Sequence, residues 1–156
     1  MSSREFGQLL GRVIDIVRGS GERDAKLDAI CTLLQESVSH YDWVGFYLVD
    51  PQAERELILG PYVGAPTEHT RIAFGQGICG QAAETEMTFI VPDVALESNY
   101  LSCSPMVRSE IVIPILYQDR VVGELDIDSH TLAPFTDEDR AFLEQVCQRV
   151  AGLFAD

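Results

Sequence analysis

Two of the four cysteines lie in settings that favour thiol chemistry. Cys103 lies in the short polar loop "YLSCSPMV", whose small neighbours leave a sulfur accessible, and Cys79 lies in "GQGICGQAAETE", where glycines precede a short helical pattern. A helix N-terminus lowers the pKa of a thiol, so we expect Cys79 to ionise readily. A lone loop cysteine can be incidental, whereas two thiols that meet in space can act as nucleophile and resolving thiol. Cysteine redox chemistry is therefore one hypothesis for this chain.

A row of carboxylates lies on the last predicted strand, "VVGELDIDS". Strand alternation places Glu124, Asp126 and Asp128 on one face and apolar residues, beginning with Val121, on the other. If water covers the acidic face, these groups are only its polar side. If loops cover it, the carboxylates would attract ammonium groups, and one of them would stay protonated as a potential acid.

Glu110 is a further candidate acid at the start of the preceding strand, "EIVIPILY". A two-residue turn at Gln118 and Asp119 would place Glu110 opposite Ile127, away from the other carboxylates. Only a β-bulge, which we would expect near Pro114, would bring Glu110 to their face.

The strand "DWVGFYLV" offers an aromatic face. Alternation places Trp43, Gly45 and Tyr47 on one side and the core residues Val44 and Phe46 on the other. Two aromatic side chains beside a glycine leave room for a ligand to approach the backbone and stack, or for a cation. The alternative is ordinary amphipathic packing beneath a loop.

The remaining pattern predicts the elements that must position these residues. Apolar residues recur at helical spacing in residues 6–17, in residues 27–38 and, after a Thr136 cap, in residues 143–154. Cys31 and Cys147 fall on the core-facing stripes of two of these helices, where cysteine acts as a small hydrophobe. Six segments with a period of two lie between the helices, so we expect an α+β fold with a central, mostly antiparallel sheet. Helices would cover one face, and loops would roof a ligand pocket on the other.

Length and charge narrow the possible functions. The 156 residues fit a single domain, which we divide into N-terminal helices (1–40), sheet and active-site loops (42–135) and a C-terminal helix (136–154). A net charge of −14 opposes binding to nucleic acid. The sequence shows neither a membrane-spanning run nor an export signal, so we expect a cytoplasmic protein with reduced thiols.

Five motifs together resemble one known family. In order, "DWVGFYLV", "GQGICG", "SCSPMVRSEIVIPI", "GELDIDS" and "FTDEDRAFLE" are similar to those of the free methionine-(R)-sulfoxide reductases, single-domain enzymes with the GAF fold. The resemblance extends from Asp42 to Glu144. It implies that Cys103 is the catalytic nucleophile and that Cys79 is the resolving thiol. Ordinary GAF domains share the sheet but lack this set of motifs.

The resemblance also assigns the substrate contacts. It implies that Glu110, Asp126 and Asp128 hold the sulfoxide oxygen and the substrate ammonium. Because a proton must reach the departing oxygen, our hypothesis is that Glu110 or Asp128 donates it. Trp43 and Tyr47 match the aromatic wall around the substrate methyl group. The implied substrate is free methionine sulfoxide, and the implied reductant is a dithiol protein of the thioredoxin type.

One position departs from the family pattern. Many members have a further cysteine ten positions before the one in "GICG", where this chain has His69. Because this position carries no thiol, we expect Cys79 or an external thiol to resolve Cys103. We expect His69 itself to be a solvated loop residue. A homodimer is plausible by analogy, and no cofactor or metal is expected. The competing hypothesis is a GAF module that senses a small molecule without chemistry.

Overall fold

The structure is a computed structural model that describes residues 1–101 and 104–155. Within this part, the chain forms four α-helices and six β-strands. The helices are α1 (Ser3–Arg18), α2 (Arg23–Ser37), α3 (Gly77–Thr85) and α4 (Asp137–Val150). The strands are β1 (Trp43–Asp50), β2 (Ala53–Val63), β3 (Arg71–Ala73), β4 (Phe89–Val91), β5 (Ser109–Tyr117) and β6 (Arg120–Ser129). Short 3-10 turns cover Val94–Leu96 and Ala151–Phe154.

The six strands form one sheet in the order β3-β2-β1-β6-β5-β4. Each described pair of neighbouring strands is antiparallel. Gln118 and Asp119 connect β5 to β6 with φ angles of 52° and 64°, the left-handed conformation of a two-residue hairpin turn of type I′. The predicted α+β fold, its central antiparallel sheet and this turn are confirmed.

Helices α2 and α4 pack on one face of the sheet, and α1 packs on these two helices. Their apolar stripes meet Val44, Phe46 and the other inward residues of β1, β5 and β6 in the main core. Cys31 and Cys147 lie in that core as predicted, with 0% and 3% of their surface exposed. Because burial disfavours a charged thiolate, it raises the pKa of both thiols. Both cysteines are structural.

The opposite face of the sheet is covered by α3 and by loops. Trp43 and Tyr47 of β1 pack there with Ile78 and Ala82 of α3 in a second apolar cluster. The face that we expected helices to cover is covered by the layer of α1, α2 and α4. The face that we expected loops to cover is covered by α3 as well as by loops. No helix in the described ranges has the length and apolar character that crossing a bilayer requires.

Asp139 joins α4 to the chain between α2 and β1. Its Oδ1 accepts hydrogen bonds from Tyr41 Oη at 2.7 Å and His40 Nε2 at 2.9 Å, and its Oδ2 accepts from the backbone and side chain of Thr136 at 2.8 Å each. Burial favours the protonated acid, but these hydrogen bonds to the ionised form lower its pKa to about 2. The ionised carboxylate thus holds the N-terminus of α4 in place.

We expect Asp139→Asn to lower the free energy of unfolding by about 2 kcal/mol at pH 7. The pKa of Asp139 is lower in the folded state, so this stabilisation is present above the unfolded pKa near 4 and is lost as pH falls through about 2. Urea unfolding should therefore separate variant and wild type widely at pH 7 and narrowly near pH 2. Asp137→Asn, an exposed change in the same helical turn, is the control. Equal stability of Asp139→Asn and wild type at pH 7 would contradict this assignment.

Candidate active site

A β-bulge brings Glu110 onto the carboxylate face of the sheet. Ile115 pairs with Gly123 and Leu116 with Val121, so Val122 of β6 has no partner in the ladder. This one-residue shift in register places Glu110 of β5 opposite Asp128 of β6. The bulge lies on β6, close to Pro114 of β5, so Glu110 faces the same side as the β6 acids, as the family resemblance implied and the two-residue turn alone did not. The same shift turns Val121 toward the second apolar cluster, so the prediction that Val121 faces away from the carboxylates is wrong.

Four of the predicted site residues line a small cavity beneath α3. Cys79, Glu110 and Asp126 line this cavity, whose volume is about 10 Å³. Cys79 Sγ lies 3.9 Å from Glu110 Oε2, and one ligand atom from each of the three residues lies within 4.8 Å of the others. Tyr47 and Leu101 form other parts of the cavity wall.

The carboxylates of β6 are buried although they are acidic. Glu124 is 0% exposed, and Asp126 and Asp128 are each 1% exposed. Burial raises the pKa of all three, and the charge of Asp126 raises the pKa of Glu124 and Asp128 further. A carboxyl group with a raised pKa is better able to donate a proton near neutral pH, and an arriving ammonium group would favour its ionised form.

Cys79 is the third residue of α3, and its thiol is buried. Burial raises its pKa well above the usual value, and the nearby charges of Asp126, Glu124 and Glu110 raise it further. The expectation that the helix N-terminus lowers this pKa is therefore wrong. The terminus contributes only a fraction of a charge, whereas burial and several carboxylates act on the same sulfur. Cys79 is a protonated thiol in this environment.

The aromatic face contributes to the site in a different way from the one predicted. Tyr47 lines the cavity and donates a hydrogen bond to the backbone oxygen of His69 at 2.8 Å. Trp43 stacks on Tyr62 and Tyr47, with ring centroids 5.3 and 6.5 Å apart. Its ring lies over Gly45, where a Cβ atom would be only 2.4 Å from the indole. The Trp43 ring thus fills the space above the glycine, where a ligand was expected. It also packs against the Tyr47 ring.

Cys103 lies outside the described residues, but the chain leading to it is described. Leu101 lines the cavity. Asn99 accepts a hydrogen bond from the Gly77 backbone at 2.9 Å and donates one to the Gly75 oxygen at 3.0 Å. Gly77 has a φ of +66°, and a Cβ atom there would be 2.8 Å from Leu101. Sequence reasoning missed Asn99, whose amide can both donate and accept, as the anchor of this segment on α3.

His69 is at the position where the family resemblance implies a further cysteine in many members. It is half-buried, and it lines the cavity together with Cys79. The expectation of a solvated loop residue is therefore wrong. The position belongs to the wall of the site, and in this chain it carries no thiol.

Glu124 is the acidic residue of this face to which the family resemblance assigned no role. Among the described residues, neither of its carboxyl oxygens has a partner at ordinary hydrogen-bond distance. The interaction with the Cys79 thiol lowers the pKa of Glu124, but the effect of burial, which raises it, is larger. A buried polar group without a partner costs about 1–3 kcal/mol. We therefore expect Glu124→Leu to raise the free energy of unfolding by about that amount at pH 7.

Thermal unfolding of Glu124→Leu at pH 7 tests this expectation. Glu97→Leu removes an acid at an exposed position and serves as the control. A melting temperature for Glu124→Leu at or below that of wild type would show that Glu124 stabilises the fold.

Comparisons with known proteins identify the fold and the family of this chain. A family model described as the GAF domain matches residues 22–153. The free methionine-R-sulfoxide reductase of Escherichia coli is 32% identical over 156 residues, covering 99% of this chain and 92% of that protein. GAF domain-containing protein A of Dictyostelium discoideum is 39% identical over 142 residues, covering 91% and 87% of the two chains.

A solved structure extends the similarity to three dimensions. The X-ray structure of free methionine-R-sulfoxide reductase from Neisseria meningitidis in complex with its substrate matches with a TM-score of 0.91 and 35% identity. The match covers 99% of this chain and 92% of that one. This chain therefore belongs to the free methionine-(R)-sulfoxide reductases, a family of oxidoreductases with the GAF fold.

Proposed function

We propose that this chain reduces free L-methionine-(R)-S-oxide to L-methionine, with Cys103 as the nucleophile. The observation that carries the proposal is the buried group of Cys79, Glu110 and Asp126 around one cavity. Leu101, which borders that cavity, precedes Cys103 by two positions in the chain. A thiol, several acids and an aromatic wall are the groups that sulfoxide reduction requires.

Recognition of the substrate follows from charge and burial. Asp126 and Asp128 bind the α-ammonium group in their ionised forms, which this cation stabilises. Tyr47 forms the wall beside the substrate methyl group, and Trp43 holds Tyr47 in position. A methionine within a peptide has no free ammonium group and needs room for the flanking chain. The enclosed cavity rejects such substrates as well as attracting the free amino acid.

The first chemical step transfers one oxygen atom. The Cys103 thiolate attacks the sulfoxide sulfur, the sulfur–oxygen bond of the substrate breaks, and the oxygen ends on Cys103 as a sulfenic acid. A proton from Glu110 or Asp128 is added to that oxygen, so the products are methionine and Cys103–SOH. A protonated carboxyl also spares the thiolate the repulsion that an ionised neighbour would exert.

The second step regenerates the enzyme. A thiol condenses with the sulfenic acid, which forms a disulfide and releases water. Cys79 is the resolving thiol within the chain, since position 69 is histidine, and an external thiol can take its place. A dithiol reductant of the thioredoxin type then reduces the disulfide. We place this reaction in the cytoplasm, in a homodimeric enzyme that acts against oxidative stress.

Turnover with defined sulfoxides tests the proposal. The purified protein with dithiothreitol should reduce free L-methionine-(R)-S-oxide, leave the S epimer unreduced, and act far more slowly on the N-acetyl derivative of the R epimer. Absence of turnover with both free epimers would reject the enzymatic function. The alternative function, a GAF domain that senses a small molecule without chemistry, would then replace it.

A further inference from the structure

We propose that the Cys79–Glu110–Asp126 group also binds a thiophilic divalent cation, Zn²⁺ or Cd²⁺, and that the bound cation blocks the site. The cation acts as an inhibitor, so the reaction itself still needs no metal. The inference that a cation binds rests only on the geometry of the described residues. The inference that the cation inhibits the enzyme also rests on the proposed function.

The donor atoms lie at distances that a small cation can bridge. Cys79 Sγ and Glu110 Oε2 are 3.9 Å apart, and with one Asp126 oxygen they form a set within 4.8 Å. Zinc binds sulfur at about 2.3 Å and carboxylate oxygen at about 2.0–2.2 Å in a tetrahedron, which requires donor separations of about 3.5 Å. Small side-chain rotations are enough to reach this arrangement.

An independent observation indicates that the group is prepared for a ligand. Asp126 is 1% exposed and lines the cavity, yet its Oδ1 has no hydrogen-bond partner among the residues that the structure describes. Asp128 lies on the same face, next to Glu110, whose side chain interacts with it. A nearby cation strongly stabilises a buried carboxylate that has an unpaired oxygen. Asp128 or a water would provide the fourth ligand of a tetrahedral site.

The thiol selects the class of cation. Oxygen ligands alone would suit Mg²⁺ or Ca²⁺, which prefer six or more oxygen donors. A thiolate beside two carboxylates favours Zn²⁺ or Cd²⁺. The α-ammonium of the substrate and the metal would use the same Asp126 oxygen, so each should exclude the other.

Cadmium binding gives a readout that does not depend on catalysis. The reduced protein, prepared with a phosphine reductant instead of a chelating dithiol, should develop sulfur-to-cadmium charge-transfer absorption in the ultraviolet on titration with Cd²⁺. Cys103→Ser should keep this absorption and Cys79→Ser should lose it. Asp126→Asn, which keeps the thiol, should weaken Cd²⁺ binding at least about tenfold. Mg²⁺ should not displace the bound Cd²⁺.

The matched control is Cys147→Ala, which removes a buried thiol from the opposite face of the sheet. It should bind Cd²⁺ as wild type does. Equal charge-transfer absorption and affinity in wild type and Cys79→Ser would overturn the proposal, as would unchanged affinity in Asp126→Asn. If Cys79→Ser does not fold, the Asp126→Asn titration decides alone.

Competition tests the second part of the proposal. Free L-methionine-(R)-S-oxide should lower the apparent Cd²⁺ affinity of Cys103→Ser, which cannot turn over in the proposed mechanism, and Zn²⁺ should raise the apparent KM of the wild-type enzyme. Cadmium absorption that depends on Cys79 in a protein without reductase activity would leave the metal site standing and reject only the proposed function. Binding of metal and substrate without mutual effect would overturn the shared site.

Discussion

Replacing Cys103 with serine should lower kcat/KM for free L-methionine-(R)-S-oxide by at least about 1000-fold. The step requires a sulfur nucleophile that can hold the transferred oxygen as a sulfenic acid. A serine hydroxyl is a weak nucleophile at neutral pH, and a peroxide on serine is not an accessible product. Steady-state turnover with dithiothreitol measures the loss. Activity of Cys103→Ser within tenfold of wild type would remove Cys103 from the nucleophile's role.

Cys79→Ser should behave differently, because its role comes after oxygen transfer. Dithiothreitol can resolve the sulfenic acid from outside, so this variant should keep activity within about tenfold of wild type under that reductant. With a thioredoxin-type reductant as the only thiol source, its turnover should fall more strongly, since that partner acts on a disulfide. Equal activity of Cys79→Ser and wild type with both reductants would mean that Cys79 does not resolve Cys103.

One equivalent of substrate without reductant separates these roles directly. Wild type should form a Cys79–Cys103 disulfide, and Cys79→Ser should accumulate a sulfenic acid at Cys103 that the carbon nucleophile dimedone traps. Peptide mass spectrometry locates both products. Cys31 and Cys147, which are buried in the main core, provide the internal control because they should remain unmodified. Dimedone on any cysteine other than Cys103 would contradict the assigned order of steps.

The architecture of this domain was predictable because its signals are local. Alternation in β1 correctly separated Val44 and Phe46, which face the main core, from Trp43 and Tyr47, which face the site. Helical periodicity likewise placed Cys31 in the core. A period of two in a strand, or of 3.6 in a helix, indicates which face of the element a side chain is on. Burial of the apolar face fixes that orientation in the folded protein.

The site was less predictable because it depends on contacts between distant segments. A bulge of one residue on β6 decides whether Glu110 joins the acids, and nothing in the local pattern specifies a bulge. The pKa of Cys79 depends on burial and on carboxylates from β5 and β6, which outweigh the nearby helix terminus. The packing of Trp43 over Gly45 is also tertiary. The resemblance to a family supplied Glu110, for which alternation alone gave the wrong face.

Replacing Asp126 with asparagine should raise KM for the free substrate about 10- to 100-fold, with a smaller effect on kcat. Asp126 is buried, and a hydrogen bond from an ammonium group to a carboxylate contributes about 1.5–3 kcal/mol. Asparagine keeps the shape of the side chain but not its charge. Asp119→Asn, in the turn at the far end of the same hairpin, is the matched control and should leave KM unchanged.

The N-acetyl substrate shows whether the lost contact is the one to the ammonium group. It has no ammonium group, so Asp126→Asn should change its kcat/KM much less than that of the free amino acid, and the preference for the free substrate should shrink. Equal losses for both substrates would show that Asp126 acts on the sulfoxide or on the fold. Since the acids of this site are buried at a cost in stability, selectivity for the unblocked amino acid is the benefit that would account for keeping them.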